Sequence, residues 1–167
     1  MGTTTRRRKR LAHLIVIPIL VGALLGGVAG AATSGWVNYG NQLMGDGVAR
    51  RHCAKADVIN NGGNPDFKGW ARTTTGSGCT SSLASVPAGY LGAAFDAYRN
   101  GSLCGSAGPV FQGSANSTFG VGGTVCSNPS GNQNFHTVGR GYFWGGSYYS
   151  YNNHYRIYLA TSPYLSI

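Results

Sequence analysis

The side chains able to do chemistry in this 167-residue sequence are few, and their spacing argues for binding rather than catalysis. A serine hydrolase needs a nucleophile, a base and an acid brought together, and its usual local cue, G-x-S-x-G, occurs nowhere in the chain. Beyond the N-terminal segment the histidines are His52, His136 and His154. Each lies beside an expected strand or loop and none is at i, i+4 spacing from another, the pattern of ordinary surface or turn histidines. Glycoside hydrolysis needs two opposed carboxylates, and the acids are only Asp46, Asp57, Asp66 and Asp96. Asp57 and Asp66 flank a loop, Asp96 faces outward on a strand, and Asp46 sits between glycines. No catalytic residue is expected, and no motif asks for a cofactor.

The cysteines Cys53, Cys79, Cys104 and Cys126 are even in number and contain no C-x-x-C pair, so they read as two disulfides and not as a metal site. Three pairings are possible. Cys53 with Cys79 and Cys104 with Cys126 is preferred, because each then closes a local loop, worth about 3 kcal/mol in chain entropy.

The unusual concentration is aromatic. Tyr142, Phe143, Trp144, Tyr148, Tyr149, Tyr151, Tyr155, Tyr158 and Tyr164 crowd the C-terminal end. Rings with a polar edge suit glycan- and protein-binding surfaces, yet cross-strand aromatic pairs also hold Gly-rich antiparallel sheets in register. Both readings stand. On alternating strands Tyr142 and Trp144 share a face with either Tyr149 and Tyr151 or Tyr148 and Ser150, while Phe143 points the other way and, lacking a polar group, belongs in the core. Trp144, Tyr142, Tyr149 and Tyr151 are the candidate binding residues.

The elements that must position these rings are short strands. Glu is absent, Lys is scarce, and Gly, Ser, Thr, Asn and Tyr dominate, a composition that disfavours long helices. Residues 91–98 alternate in period two, and Asn100-Gly101 supplies a type I′ turn from which Leu103 and Cys104 begin the returning strand. Further strands are expected over 110–112, 118–125, 135–144, 148–151 and 155–160, with a turn at Asn152-Asn153. Residues 48–59 fit a short helix or a strand equally well. The fold class is mostly β, a small antiparallel β-sandwich or barrel behind an irregular N-terminal segment.

The chain opens with the cationic stretch Arg6 to Arg10, the apolar run Leu11 to Val28 and the small residues Ala29-Gly30-Ala31-Ala32, the order of a secretory signal peptide. Its apolar core contains Pro18 and is shorter than the roughly 20 residues of a spanning helix, so cleavage after Ala31 is expected rather than a retained anchor. Lys9 and Arg10 follow the arginine pair where twin-arginine export wants apolar residues, which favours the general secretory route. The expected division is 1–31 signal peptide, 32–75 irregular segment and 76–167 β domain. Cleavage leaves eight cations against four acids, a net charge of +4, scattered apart from Arg50 and Arg51. No cationic run tracks a phosphate backbone, so nucleic acid is not an expected partner, whereas a modest positive field weakly draws anionic wall polymers or lipid headgroups without specificity.

The stretch Val86-Pro87-Ala88-Gly89-Tyr90-Leu91-Gly92-Ala93, followed by Tyr98 and Asn100-Gly101-Ser102-Leu103-Cys104, resembles a recurrent pattern in small secreted β-rich proteins of actinomycetes, through Cys126 and the Tyr-rich end. That resemblance implies export, β structure and a Cys104 to Cys126 bridge, and no catalytic residue. The front of the mature chain, with Gly35-Trp36, Tyr39-Gly40, His52, Ala54, Val58 and Gly69-Trp70-Ala71, is similar in order to the lactococcin 972 type of bacteriocin, secreted β-sandwich proteins that bind a lipid-linked wall precursor. This chain departs from it by Cys53 beside His52, a Gly-Asn insertion and a long C-terminal extension.

The expectation is a secreted, extracellular binding or structural protein acting at or outside the cell wall, alone or within a secreted assembly, with a wall polymer or a secreted protein as partner. An antibacterial protein of the lactococcin 972 type is the alternative, and a secreted hydrolase the weaker one.

Overall fold

The computed structural model describes residues 30–129, 131–149 and 152–167. Most of the expected export signal lies outside these residues, and Ala31, its last residue, opens the first strand. No helix among the described residues is long and apolar enough to cross a membrane.

Two antiparallel sheets lie face to face, the sandwich of the two architectures, sandwich or barrel, that the short strands suggested. The first sheet holds β1 (Ala31–Thr33), β2 (Val37–Leu43), β3 (Ala49–Asn61), β4 (Asn64–Thr74) and β7 (Thr118–Gly123). The second holds β5 (Leu91–Arg99), β6 (Ser102–Phe111), β8 (Asn134–Trp144), β9 (Tyr155–Thr161) and β10 (Leu165–Ser166). The sheets share a plan: β1 and β2 divide one flank of β3, as β9 and β10 divide one flank of β8. Short strands at an edge offer little template for pairing with another chain.

Residues 32–75 are not the irregular segment their glycines suggested. They carry four strands, and the Asn60-Asn61-Gly62-Gly63-Asn64 cluster is the turn that joins two of them, with Gly62 and Gly63 at φ +61° and +88° and Asn61 paired to Asn64. Left-handed backbone at both central positions is what a tight hairpin requires. Residues 48–59, open between helix and strand, lie within β3 apart from Val48. Because β7 completes the first sheet, residues 32–75 and 76–167 build one sandwich.

The hairpin at Asn100-Gly101 forms as its sequence predicts, with both φ angles positive. The stretch expected as a strand over 148–151 instead begins in a 3₁₀ turn, Gly146–Tyr148, and a second such turn, Asn152–His154, precedes β9. Both disulfides pair as preferred. Cys53–Cys79 ties the loop after β4 to β3, and Cys104–Cys126 ties β6 to the chain beyond β7, joining the two sheets at one side.

The core has two ends and a thin waist. Phe67, Phe95, Phe135 and Val58 fill one end, and Met44, Leu91, Val86 and Phe143 the other, all essentially without exposure. Between them Ala54, Ala56, Gly69, Ala71, Gly139 and Gly141 let the backbones approach. A Cβ on Gly69 would strike the Ala94 carbonyl, so the waist admits no side chain there. Burying each phenylalanine contributes roughly 1.5–3 kcal/mol.

Candidate functional site

Along β8 the residues Phe135, Thr137, Gly139, Gly141 and Phe143 are buried against the other sheet, which turns His136, Val138, Arg140, Tyr142 and Trp144 outward. The cross-strand register extends this outer face: Tyr142 lies opposite Gly92 and Ile157, and Trp144 opposite Tyr155. Gly92 lacks a Cβ, and Phe111 of β6 lies across the vacated space. The result is a cluster of rings: Tyr90 and Trp144 with centroids 4.6 Å apart, Phe111 and Tyr155 at 4.7 Å, and Phe111 edge-on to Tyr142 at 5.9 Å. Tilted and edge-on contacts of this kind add to the energy of area burial.

Ala88, Gly89, Tyr90, Trp144 and Tyr155 line a cleft of about 220 Å³ within this cluster. Sites that enclose a small molecule run to roughly 300–1,000 Å³, so this cleft suits a group projecting from a chain that lies across it. Its walls are fixed. The Tyr155 hydroxyl donates to the Gly89 carbonyl at 2.7 Å, the Trp144 amide donates to the Tyr90 carbonyl at 2.9 Å, and the Trp144 ring packs on Gly45 and Gly146. Burial raises the Tyr155 hydroxyl above its ordinary pKa, so it remains a donor.

Further along the same face Asp96 and Arg140 form an ion pair, and beyond them His136 stacks on Tyr98 at 4.6 Å and meets Tyr164 at 4.7 Å. Aromatic surface thus sits at both ends of the face with a neutralised pair between. Leu159, 54% exposed, adds to it.

Of the four candidate binding residues, the structure places Trp144 in the cleft, half-buried, and Tyr142 beneath Phe111 with only 9% exposure. Tyr149 turns inward: it is 4% exposed, its hydroxyl donates to the Leu43 carbonyl at 2.6 Å, and Arg156 covers its ring. The cause is the 3₁₀ turn at 146–148, which breaks the alternation that would have kept Tyr149 in line with Trp144. Tyr151 lies outside the described residues. Sequence reasoning missed Tyr90, Phe111 and Tyr155 as members of the ring cluster around Trp144 and Tyr142. For Phe111 the signal was its pairing with Gly92 on the neighbouring strand, visible only once register is known.

The histidines do not converge. His52 is fully buried, stacked on Phe143 at 4.2 Å with Tyr158 edge-on, and neither ring nitrogen has a hydrogen-bond partner among the described residues. Burial, with Arg156 and Arg50 nearby, lowers its pKa to about 3, so it is neutral. His154 meets the Tyr149 carbonyl through Nδ1 at 2.7 Å. All four carboxylates are engaged by cations: Asp46 by Arg50, Asp57 by Lys55, Asp66 by Lys68 and Asp96 by Arg140. Among the described residues no three His, Cys, Asp or Glu side chains group to hold a metal ion.

No family model, curated protein or solved structure matches the chain.

Proposed function

We propose that the protein is an exported, non-enzymatic module that attaches to a cell-wall polysaccharide through the outer face of the second sheet. The observation that carries this reading is the cleft between Tyr90, Trp144 and Tyr155, fixed by hydrogen bonds to main-chain carbonyls and continued by Phe111. Sugar rings carry an apolar face and a polar rim, which rigid, partly exposed aromatic rings match at low entropic cost. The Asp96–Arg140 pair leaves this face without excess charge, which fits an uncharged glycan. Two disulfides support a protein that works outside the cell, because they persist in oxidising surroundings.

Co-sedimentation of the purified protein with isolated cell walls and with neutral polysaccharides tests the proposal. The expected result is retention that Trp144→Ala weakens by about 2 kcal/mol, roughly thirtyfold, with the variant still melting cooperatively. Retention unchanged in that variant, or capture of a secreted protein in place of a polysaccharide, overturns it.

A further inference from the structure

The outer face of the first sheet has a different character. On β3 Arg51, Cys53, Lys55 and Asp57 point outward, and on β4 Asp66, Lys68, Trp70 and Arg72. Four cations therefore face two carboxylates. Lys55 is paired with Asp57 at 3.0 Å and Lys68 with Asp66 at 3.2 Å, and the chain's two other acids are engaged elsewhere. Arg51 and Arg72 are left without a carboxylate. Arg51 donates through Nε to the Gly76 carbonyl and through Nη1 to Asn38. Arg72 donates through Nε to Thr118 and through Nη1 to the Cys79 carbonyl. In both, Nη2 has no hydrogen-bond partner among the described residues.

These arginines stand beside a fixed aromatic surface. Trp70 lies flat on Gly120, where any Cβ would strike its ring, and donates Nε1–H to Asp57 at 2.8 Å, which stops the indole from turning. The Arg72 guanidinium stacks on Trp36, 3.9 Å from the ring centroid. Lys55 stands within about 6 Å of both tryptophan rings. Trp70 and Arg72 are two residues apart on one strand, about 7 Å. A sugar ring stacked on the half-exposed indole would place its own carboxylate within reach of Arg72.

We propose that this face is a second binding site, which takes a uronic-acid polysaccharide by stacking a sugar ring on Trp70 and pairing carboxylates with Arg72 and Arg51. Charge complementarity sets the sign of the ligand, since the face carries two cations more than acids. The open Nη2 of each guanidinium can donate a charge-assisted hydrogen bond to a carboxylate. The indole selects for charge carried on a ring, which a linear polyol phosphate does not offer. The site lies on the opposite side of the sandwich from the Trp144 cleft and does not depend on it.

Affinity electrophoresis of the exported protein in native gels containing polygalacturonate tests the proposal, with dextran, dextran sulfate and poly(ribitol phosphate) as the other arms. Polygalacturonate is expected to retard the protein at about 0.15 M salt. Arg72→Gln and Trp70→Leu are each expected to weaken that retardation about tenfold. Leu159→Ser, on the other sheet, leaves it unchanged. Should Arg72→Gln fail to fold because it anchors the Cys79 loop, Arg51→Gln serves in its place, with a thermal melt as the folding control. No retardation by polygalacturonate, equal or stronger retardation by dextran sulfate or poly(ribitol phosphate), or retardation insensitive to Trp70→Leu would each overturn the assignment.

Discussion

The two ends of the sandwich core share β3, β4, β5 and β8, yet they bury different chemistry. At one end Phe67 and Phe95 stack at 6.2 Å, Phe135 meets Phe67 edge-on, and Cys126 of the second disulfide packs against them, with no titratable group in that cluster among the described residues. At the other, Phe143 stacks on His52 and Tyr158 meets it edge-on, and the two buried ring nitrogens have no hydrogen-bond partner among the described residues. An unpartnered buried polar group costs about 1–3 kcal/mol, so this second end is the weaker one. The Trp144 cleft lies directly outside it, on the reverse side of β8. Tight apolar packing secures the molecule at the end remote from the cleft, while stability near the cleft depends on solution conditions.

The largest effect should come from breaking the apolar end. Phe95→Ala removes a fully buried ring from a site walled by other rings and by the nearby waist, and is expected to cost about 4 kcal/mol. Phe143→Ala is expected to cost about 3 kcal/mol, because removing the ring also opens a path for water to His52. Urea titrations of the two variants measure the difference. A cost for Phe143→Ala well above that for Phe95→Ala would reverse the ranking of the two ends.

Acid separates the ends more sharply. His52 is held at a pKa of about 3 when folded, against an ordinary value of 6.5. Between those values the unfolded chain binds a proton that the folded chain refuses, so stability is fully present above about pH 6.5 and falls as the pH drops toward 3. The slope is roughly 1.4 kcal/mol per pH unit inside that window. His136, also lowered by burial, adds a contribution of the same sign. Asp46, held low by its hydrogen bonds from Arg50, loses its contribution only below the ordinary carboxylate range, which leaves the upper window to histidine. His52→Leu is expected to flatten the slope without loss of stability at neutral pH. Melts from pH 4 to pH 7.5 test this, and a slope unchanged in His52→Leu would place the titrating group elsewhere.

Much of this organisation was legible in the sequence, and each failure has a physical cause. The strand at 91–99, its type I′ turn, both disulfides and the inward Phe143 followed from local rules: alternation, the φ requirement of Asn100-Gly101, and short loops between cysteines. The same alternation ran through Arg51-His52-Cys53-Ala54-Lys55-Ala56-Asp57-Val58 and Asp66-Phe67-Lys68-Gly69-Trp70-Ala71-Arg72-Thr73, and it marks a strand pair with a charged outer face. Glycine and alanine at the inward positions hid it, because a waist where backbones touch needs small residues and so lacks the apolar contrast by which strands are recognised. The scattered cations became a cluster only through the β3–β4 register. Tyr149 failed for the opposite reason: alternation was extended past Gly145, where the chain leaves the sheet.

The smallest effect concerns the hydroxyl that ties the cleft to the sheet. Tyr155→Phe deletes the hydrogen bond to the Gly89 carbonyl and nothing else, since the ring keeps its contacts with Phe111 and Tyr142. Gly89 is only half-buried, so water can replace the lost donor, and the expected cost is about 1 kcal/mol, or roughly 3 °C in melting temperature. The consequence for binding should be larger than that for stability. Gly89 sits at φ +79° between Ala88 and Tyr90, so releasing its carbonyl loosens one wall of the cleft while Trp144 stays seated on Gly45. A variant that melts within a few degrees of the parent yet is retained several-fold less by cell walls would locate recognition in the fixed geometry of the cleft. A variant that loses several kcal/mol of stability would instead make Tyr155 part of the weaker core end, and the boundary between core and binding surface would have to move outward to include it.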